Sequence, residues 1–406
     1  MSAPRLRVCF FNRSYWPDAG ATGQLLTELA EGLVAMHGVD VTVVTGPAIT
    51  PQGEASAGSE VHNGVRVVRV LGSRWPPRHV FGRIANYLTY FLSALVAGRR
   101  LVRQDIVVAM TDPPIIGLAA LASRRGGRFV FFCQDIFPEV AALLEDFRSP
   151  VVDGLLDRVN RFLVRRADRI IALDETMSRR LVEGKGADRR RISVIHNWAD
   201  PDLFTEAART NPFTARHELG NRFVVLHGGN IGLSQRLDIV LDAAERLRDR
   251  PQVLFLFVGD GTSRARLEAS AQARGLGTAV RFLPYQARDE MRWSYAAADL
   301  CVISLREGLS GYIVPSKVYS ILAAGKPFVA AVDRDSSVAA IAAEYDCGRV
   351  VAPGDGAGLA AHIRALMDDR AELAAMGDRA RRAAGHFTRD GQVAAHAQLL
   401  QSVAAQ

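Results

Sequence analysis

From Leu6 to Val332 the chain repeats one pattern: a short run of β-branched and aromatic residues, a loop with Gly, Pro or Asn, then a longer stretch with apolar residues at helical spacing. Such runs occupy 6–11, 41–44, 65–70, 105–109, 128–132, 169–172, 192–195, 223–226, 253–258, 280–283, 299–304 and 328–332. Runs that are apolar at nearly every position belong to strands covered on both faces. Strands joined through helices in this rhythm pair in parallel through right-handed crossovers. The expectation is an α/β fold of doubly wound parallel sheets.

At 406 residues the chain is too long for one core, so two domains are expected. The pattern relaxes after Asn197 and Trp198, through Asp200, Pro201, Asn211 and Pro212. This places the domains at 1–200 and 201–387, with 388–406 as a terminal helix packing back on the first. Cys9, Cys133, Cys301 and Cys347 each lie in or beside an apolar run and read as buried, reduced thiols of a cytoplasmic protein. No secretory signal is expected, because Met1–Arg7 leads straight into a strand. The net charge of +7 permits an acidic partner. Arginine is spread along the chain without an interleaved aromatic module, so nucleic acid is not expected, whereas phosphorylated ligands and an anionic membrane surface both fit.

The loops that follow the strands carry the candidate chemistry, since open α/β sheets bind ligands at their carboxyl edge. Between the runs 299–304 and 328–332 lies Glu307-Gly-Leu-Ser-Gly-Tyr-Ile-Val, then a helix opened by Pro315 and Ser316 and stopped by Gly325 and Pro327. Lys317 in its first turn opposes the helix dipole, which makes sense if an anion docks there; the alternative is a solvated Lys or one paired with Glu307. After 223–226 comes His227-Gly-Gly-Asn-Ile-Gly232, a glycine turn whose amides would face a phosphate; it is neither a Rossmann fingerprint nor a P-loop. Gly23 ends the first loop as a close-approach glycine or a plain turn residue. Asp135 and Glu139 follow 128–132 and would bind sugar hydroxyls or accept a proton, the alternative being solvated loop acids.

The stretch from Arg74 to Arg103 is strongly apolar, with Phe81, Ile84, Leu88, Phe91 and Leu95 on one helical face and Arg74, Arg78, Arg83, Arg99, Arg100 and Arg103 around it. Its apolar core falls short of the ~20 residues that cross a bilayer. Two readings stay open: a helix of the domain core, or one lying on an anionic membrane.

In this order, Pro17 to Gly23, Asp135 to Glu139, Asn197, Gly229-Asn230-Ile231-Gly232, Pro315-Ser316-Lys317 and Ala323-Ala324-Gly325-Lys326-Pro327 resemble a GT-B glycosyltransferase of the retaining family four. Within it they resemble bacterial exopolysaccharide and O-antigen enzymes of the fucosamine-transferase type. The resemblance implies two Rossmann-like domains facing across a cleft. It also implies a nucleotide-diphosphate sugar as co-substrate, a glycan or lipid-linked acceptor, and neither metal nor other cofactor. Glu307 would touch the donor sugar and Asp135 would serve in catalysis. Gly23, Gly229, Asn230, Gly232, Arg236, Tyr285, Ser316, Lys317 and Ser320 would bind the donor, and Glu139 the acceptor.

Three departures stand out. The family's second glutamate, on the ribose, falls on Ser320. Its basic pair on the diphosphate falls on Asn230 and on Gln235 or Arg236, which leaves Arg236 and Lys317 to supply the charge. Where some relatives carry a His beside Asp135, this chain has Gln134. Other classes remain as alternatives: a non-hydrolysing nucleotide-sugar epimerase, which would need acids and a His set to abstract a sugar proton, or a catalytically silent nucleotide-binding protein.

Overall fold

The structure, a computed structural model, describes residues 5–18, 20–47, 57–73, 75, 80–144, 149–204 and 208–406. Arg74 and Arg78 of the arginine-flanked stretch lie outside them, as do the side chains of Phe81 and Arg83. The chain divides into two compact units, one of residues 1–196 with 389–406 and the other Asn197–Thr388.

In the first unit β1 (Arg7–Phe11), β2 (Asp40–Thr45), β3 (Gly58–His62), β4 (Val65–Arg69), β5 (Ile106–Ala109), β6 (Arg128–Phe132), β7 (Arg169–Ala172) and β8 (Ile192–Val194) form one sheet in the order β3-β4-β2-β1-β5-β6-β7-β8. All neighbours are parallel except β3, which folds back antiparallel on β4. The central strand β1 sets Val8 beside Val41 on one side and Ile106 on the other, and Val8 to Phe11 are buried. The chain's last helix, Arg389–Ala404, packs on the helix Ala21–His37, so close that a Cβ on Gly32 would stand 3.0 Å from Cγ1 of Val393.

In the second unit β9 (Phe223–Gly228), β10 (Val253–Val258), β11 (Val280–Leu283), β12 (Leu300–Ser304), β13 (Phe328–Ala331) and β14 (Gly348–Val351) form an all-parallel sheet ordered β11-β10-β9-β12-β13-β14. Both sheets are the doubly wound arrangement expected from the sequence. In each, strand order reverses beside the first strand: between β1 and β5, and between β9 and β12. Loops leaving the two strands at such a point diverge to opposite sides and leave a crevice for a ligand.

Two strands were not foreseen. β3 is exposed along nearly its whole length and has no apolar run to announce it; β14 opens on Gly348 and Arg349. The helix Val80–Arg100 buries Tyr90 and Ala94 but leaves Ile84, Leu88, Leu92 and Val96 open to water, so only one side of it belongs to the core. All four cysteines are buried free thiols, as expected.

Candidate active site

The second unit's crevice is built by the loops after β9 and β12. Gly229 adopts φ +108, and its N–H donates to Val258 O at 2.9 Å, while the Ile231 N–H donates to Asp260 O at 2.8 Å. The loop Gly259-Asp260-Gly261 is thus clamped against the glycine turn. A Cβ on Gly259 would stand 1.9 Å from Gly229 O, and one on Gly261 would stand 2.5 Å from Ile231 O; both glycines also have positive φ. The β12 loop joins the same assembly, with the Arg306 N–H donating to Ser234 O at 2.7 Å. Because the Gly229 amide is already bonded, it cannot be one of the donors expected for a phosphate.

Lys317 opens the helix Lys317–Ala323, after Ser316 and before the αL residue Gly325 that ends it, as the sequence predicts. Its Nζ donates to Gln235 Oε1 at 3.0 Å and lies 3.2 Å from His227 Nε2. No carboxylate takes part in these contacts. Burial of the amine pushes its pKa down to about 7. Burial, with Lys317 alongside, holds the His227 imidazole well below the usual histidine range and therefore neutral. A lysine with two neutral partners at a helix start is a cation whose charge is unmatched, and a bound anion would match it.

The other expected donor residues spread along this edge. Asn230 is exposed, and its side chain abuts Gly232 and Gly261. Glu307 is exposed beside Gly308, whose N–H donates to Asp333 Oδ2 at 3.1 Å. Ser320 is half-buried one turn after Lys317. Tyr285 follows β11, exposed, with burial of its ring side and the nearby Asp260 raising its pKa. Arg236 is exposed and sits in αL at φ 42, and its guanidinium packs on Gly354, 3.3 Å from where a Cβ there would be.

In the first unit the loops after β1, β5 and β6 enclose a cavity of about 240 Å³, lined by Arg13, Ser14, Gly23, Tyr87, Thr111, Asp112 and Asp135 among others. Gly23 is the third residue of its helix, packed under Asp18 and Ser14, where a Cβ would stand 3.3 Å from that of Asp18. Asp112 accepts from Arg13 Nε at 3.1 Å and from Ser14 Oγ at 3.0 Å. Burial, and secondarily the Asp112 charge, push the Asp135 carboxyl up to about 7, so it exchanges a proton near neutrality.

Glu139 does not line this cavity. Its Oε1 accepts from Lys185 Nζ at 2.8 Å, and Lys185, wholly buried, also donates to Asp157 Oδ1 at 2.7 Å. A carboxylate that neutralises a buried ammonium is held by the fold, which gives Glu139 a structural task whatever else it binds.

Comparison with known families agrees with this division of the chain. Residues 20–198 match the glycosyl transferase 4-like domain, and residues 211–383 match the glycosyl transferases group 1 family. The chain is a group 1 glycosyltransferase.

Relatives of this glycosyltransferase include WcaI of Escherichia coli (strain K12), named for colanic acid biosynthesis, which is 28% identical over 79% of this chain and 82% of its own. WbjE of Pseudomonas aeruginosa, named as a glycosyltransferase, is 28% identical over 71% of this chain and 72% of its own. Among solved structures, Anabaena HepE in complex with UDP superposes with a TM-score of 0.73 at 19% identity, covering 98% of this chain and all of that one. WaaG, a glycosyltransferase involved in lipopolysaccharide biosynthesis, superposes with a TM-score of 0.70 at 18% identity over 97% of this chain and 99% of its own. These likenesses establish the GT-B fold.

Sequence reasoning passed over several residues of the glycosyltransferase's two crevices. Arg13 and Asp112 lie in the loops on either side of the first switch point, and the Asp112-Pro113-Pro114 signal directly after β5 marked one of them. His227 stood inside a motif valued for its glycines. No helix among the described residues is long and apolar enough to cross a membrane.

Proposed function

We propose that the Asn197–Thr388 unit holds a nucleotide-diphosphate sugar and that the first unit holds the acceptor, a glycan carried on a lipid. In the reaction the bond from the anomeric carbon to the diphosphate oxygen breaks, its electron pair leaving with the nucleoside diphosphate. An acceptor hydroxyl oxygen then bonds to that carbon and releases its proton. We infer retention of anomeric configuration. The observation that carries the reading is Lys317, an amine with neutral partners at the crevice between β9 and β12. An arriving diphosphate would keep it protonated, and the pair would strengthen as negative charge develops on the leaving group. Gln235 falls where the resembled family has a basic residue, so Lys317 supplies that charge from the facing helix.

Glu307, exposed on the β12 loop, is assigned to the donor's sugar hydroxyls, and Ser320 to the ribose. Tyr285 and Asn230 are assigned to the nucleotide end of the donor. Asp135, poised near neutrality, is assigned the acceptor proton. The names of WcaI and WaaG support a surface-glycan acceptor, and the UDP bound to HepE supports a uridine nucleotide.

The test is to incubate the pure protein with single nucleotide sugars, with and without a polyprenyl-diphosphate-linked glycan. Label moving to the lipid fraction, with nucleoside diphosphate released, is the expected result. Isomerised nucleotide sugar in the absence of acceptor would replace this reading with an epimerase, and no turnover of any donor would leave a nucleotide-binding protein.

A further inference from the structure

The second unit has another cavity, at the edge of its sheet opposite the donor crevice. The helices Met291–Ala297 and Lys317–Ala323 each start at the carboxyl edge of this parallel sheet and run back to the amino edge, where β12 and β13 begin. Lys317 stands at one end of its helix; Ala324 and Lys326 follow the other end, on the order of 10 Å away. There a cavity of about 350 Å³ is lined by Phe204, Arg292, Ala296, Ala324, Lys326 and Arg381, among others.

Three of these side chains are cations, and among the described residues no carboxylate lines the cavity. Asp299, at the same edge, is taken by Arg209 at 2.7 Å and Arg370 at 3.5 Å. Among the described residues Arg292, Lys326 and Arg381 have no acidic partner of their own. Each is nevertheless held in place. Lys326 Nζ donates to Ala296 O at 3.1 Å and to Ala298 O at 2.8 Å, which closes the end of the helix Met291–Ala297 and leaves one of its three N–H groups for another acceptor. Arg292 lies over the Trp293 ring, 4.6 Å from its centroid. The Arg381 guanidinium fills the room left by a missing side chain, since a Cβ on Gly325 would stand 2.5 Å from its Nη2.

Capping of carbonyls at a helix end accounts for Lys326 alone. Arg292 and Arg381 cap nothing, and like charges repel unless something between them carries the opposite sign. Both are exposed, so a ligand reaches them from water. Planar guanidinium forks suit phosphate oxygens, two at a time.

We propose that this cavity is a second anion site, which takes a phosphate group on Arg292, Arg381 and the remaining Lys326 N–H. The volume leaves room for a small body attached to the phosphate, such as a sugar. The site lies apart from the crevice assigned to the nucleotide sugar and does not rest on that assignment.

Calorimetry of the full chain with inorganic phosphate and with glucose 6-phosphate tests it. The variants are Arg292→Ala with Arg381→Ala, Ala208→Glu, Lys317→Ala, and Glu206→Gln, the last at a position outside the described residues. Ala208 is exposed at the cavity, so a glutamate there supplies a carboxylate without disturbing the core. Wild type and Lys317→Ala should bind at least one of the two phosphates alike, while the arginine double variant and Ala208→Glu should weaken that binding by roughly tenfold or more. Melting temperature without ligand and affinity for uridine diphosphate should keep their wild-type values in these two variants. Tighter binding of the sugar phosphate would assign the cavity to a phosphorylated metabolite, and equal affinities would assign it to free phosphate. No binding of either by wild type would overturn the proposal. So would loss of binding in Lys317→Ala with the arginine double variant unaffected, since the phosphate would then belong to the donor crevice. Binding that appears only in Glu206→Gln would overturn it too, by matching the three cations with a carboxylate of this chain.

Discussion

Lys317 Nζ donates to Gln235 Oε1 at 3.0 Å, joining the helix after β12 to the loop after β9 across the point where the second sheet's strand order reverses. The contact places a positive charge where the glycine turn contributes none of its own. Removing it by Lys317→Ala should weaken nucleoside-diphosphate binding by roughly 1.5–3 kcal/mol, the worth of a charge-assisted hydrogen bond, as read by calorimetry. Arg236→Ala should cost much less, because its guanidinium packs on Gly354.

The same amine predicts a pH dependence. With its pKa lowered to about 7, Lys317 is part-deprotonated in the free protein near neutrality and fully protonated beside a diphosphate. Binding should therefore take up protons at pH 7–8 and tighten as pH falls toward 6. Calorimetry in buffers of different ionisation enthalpy measures this. The diphosphate's own titration is removed by subtracting the uptake seen with Lys317→Ala. In the free protein the depressed pKa acts in the opposite direction, since the unfolded chain binds the proton more tightly. This group's contribution to stability accordingly improves as pH rises above 7.

Asp135 carries the converse sign. Its carboxyl is raised to about 7, so the folded state holds more protons than the unfolded one between the ordinary carboxyl pKa and that value. Its contribution to stability is thus lost as pH rises through this window. Asp135→Asn should raise the melting temperature at pH 8 more than at pH 5 and lower turnover by roughly 10²–10⁴-fold if it takes the acceptor proton. Thermal unfolding at both pH values and rates at saturating donor decide the two parts separately.

Glu307→Ala should reduce turnover far more than affinity for the bare nucleoside diphosphate, because the exposed carboxylate on the β12 loop is assigned to the sugar. Comparing calorimetry on the nucleotide with rates at saturating nucleotide sugar checks this. Collapse of nucleotide binding with turnover intact would remove Glu307 from the sugar.

Lys185→Met leaves Glu139 and Asp157 facing each other without their shared ammonium. It should destabilise the protein by roughly 3 kcal/mol in chemical denaturation, as breaking a buried ion pair does. Nucleotide affinity, measured at a temperature where the variant is folded, should not change.

Much of the fold was legible because parallel strands covered on both faces announce themselves as apolar runs. β3 was not, since Gly58-Ser-Glu-Val-His owes its place to pairing with β4 and not to burial. At the candidate site the sequence marked Lys317 as a cation out of keeping with its helix. It did not mark His227, 90 residues away, whose neighbourhood to Lys317 is created only by the sheet. The tie between Glu139 and the wholly buried Lys185 was hidden for the same reason, since the two lie 46 residues apart. Loop glycines were legible as glycines but not by task. Gly259 and Gly261 permit two loops to touch, and Gly229 spends its amide on Val258.

The last helix, Arg389–Ala404, completes the unit that begins the chain, with Val393 against Gly32. On a ribosome this orders events. The strands of the first sheet emerge early, yet the surface around Gly32 stays bare until the whole of Asn197–Thr388 has been made, an interval of roughly 10–40 s at ordinary elongation rates. The unit made first is therefore finished last. A messenger truncated near its end would yield a second unit able to fold beside a first one with its flank uncovered, a species suited to capture by chaperones and proteases.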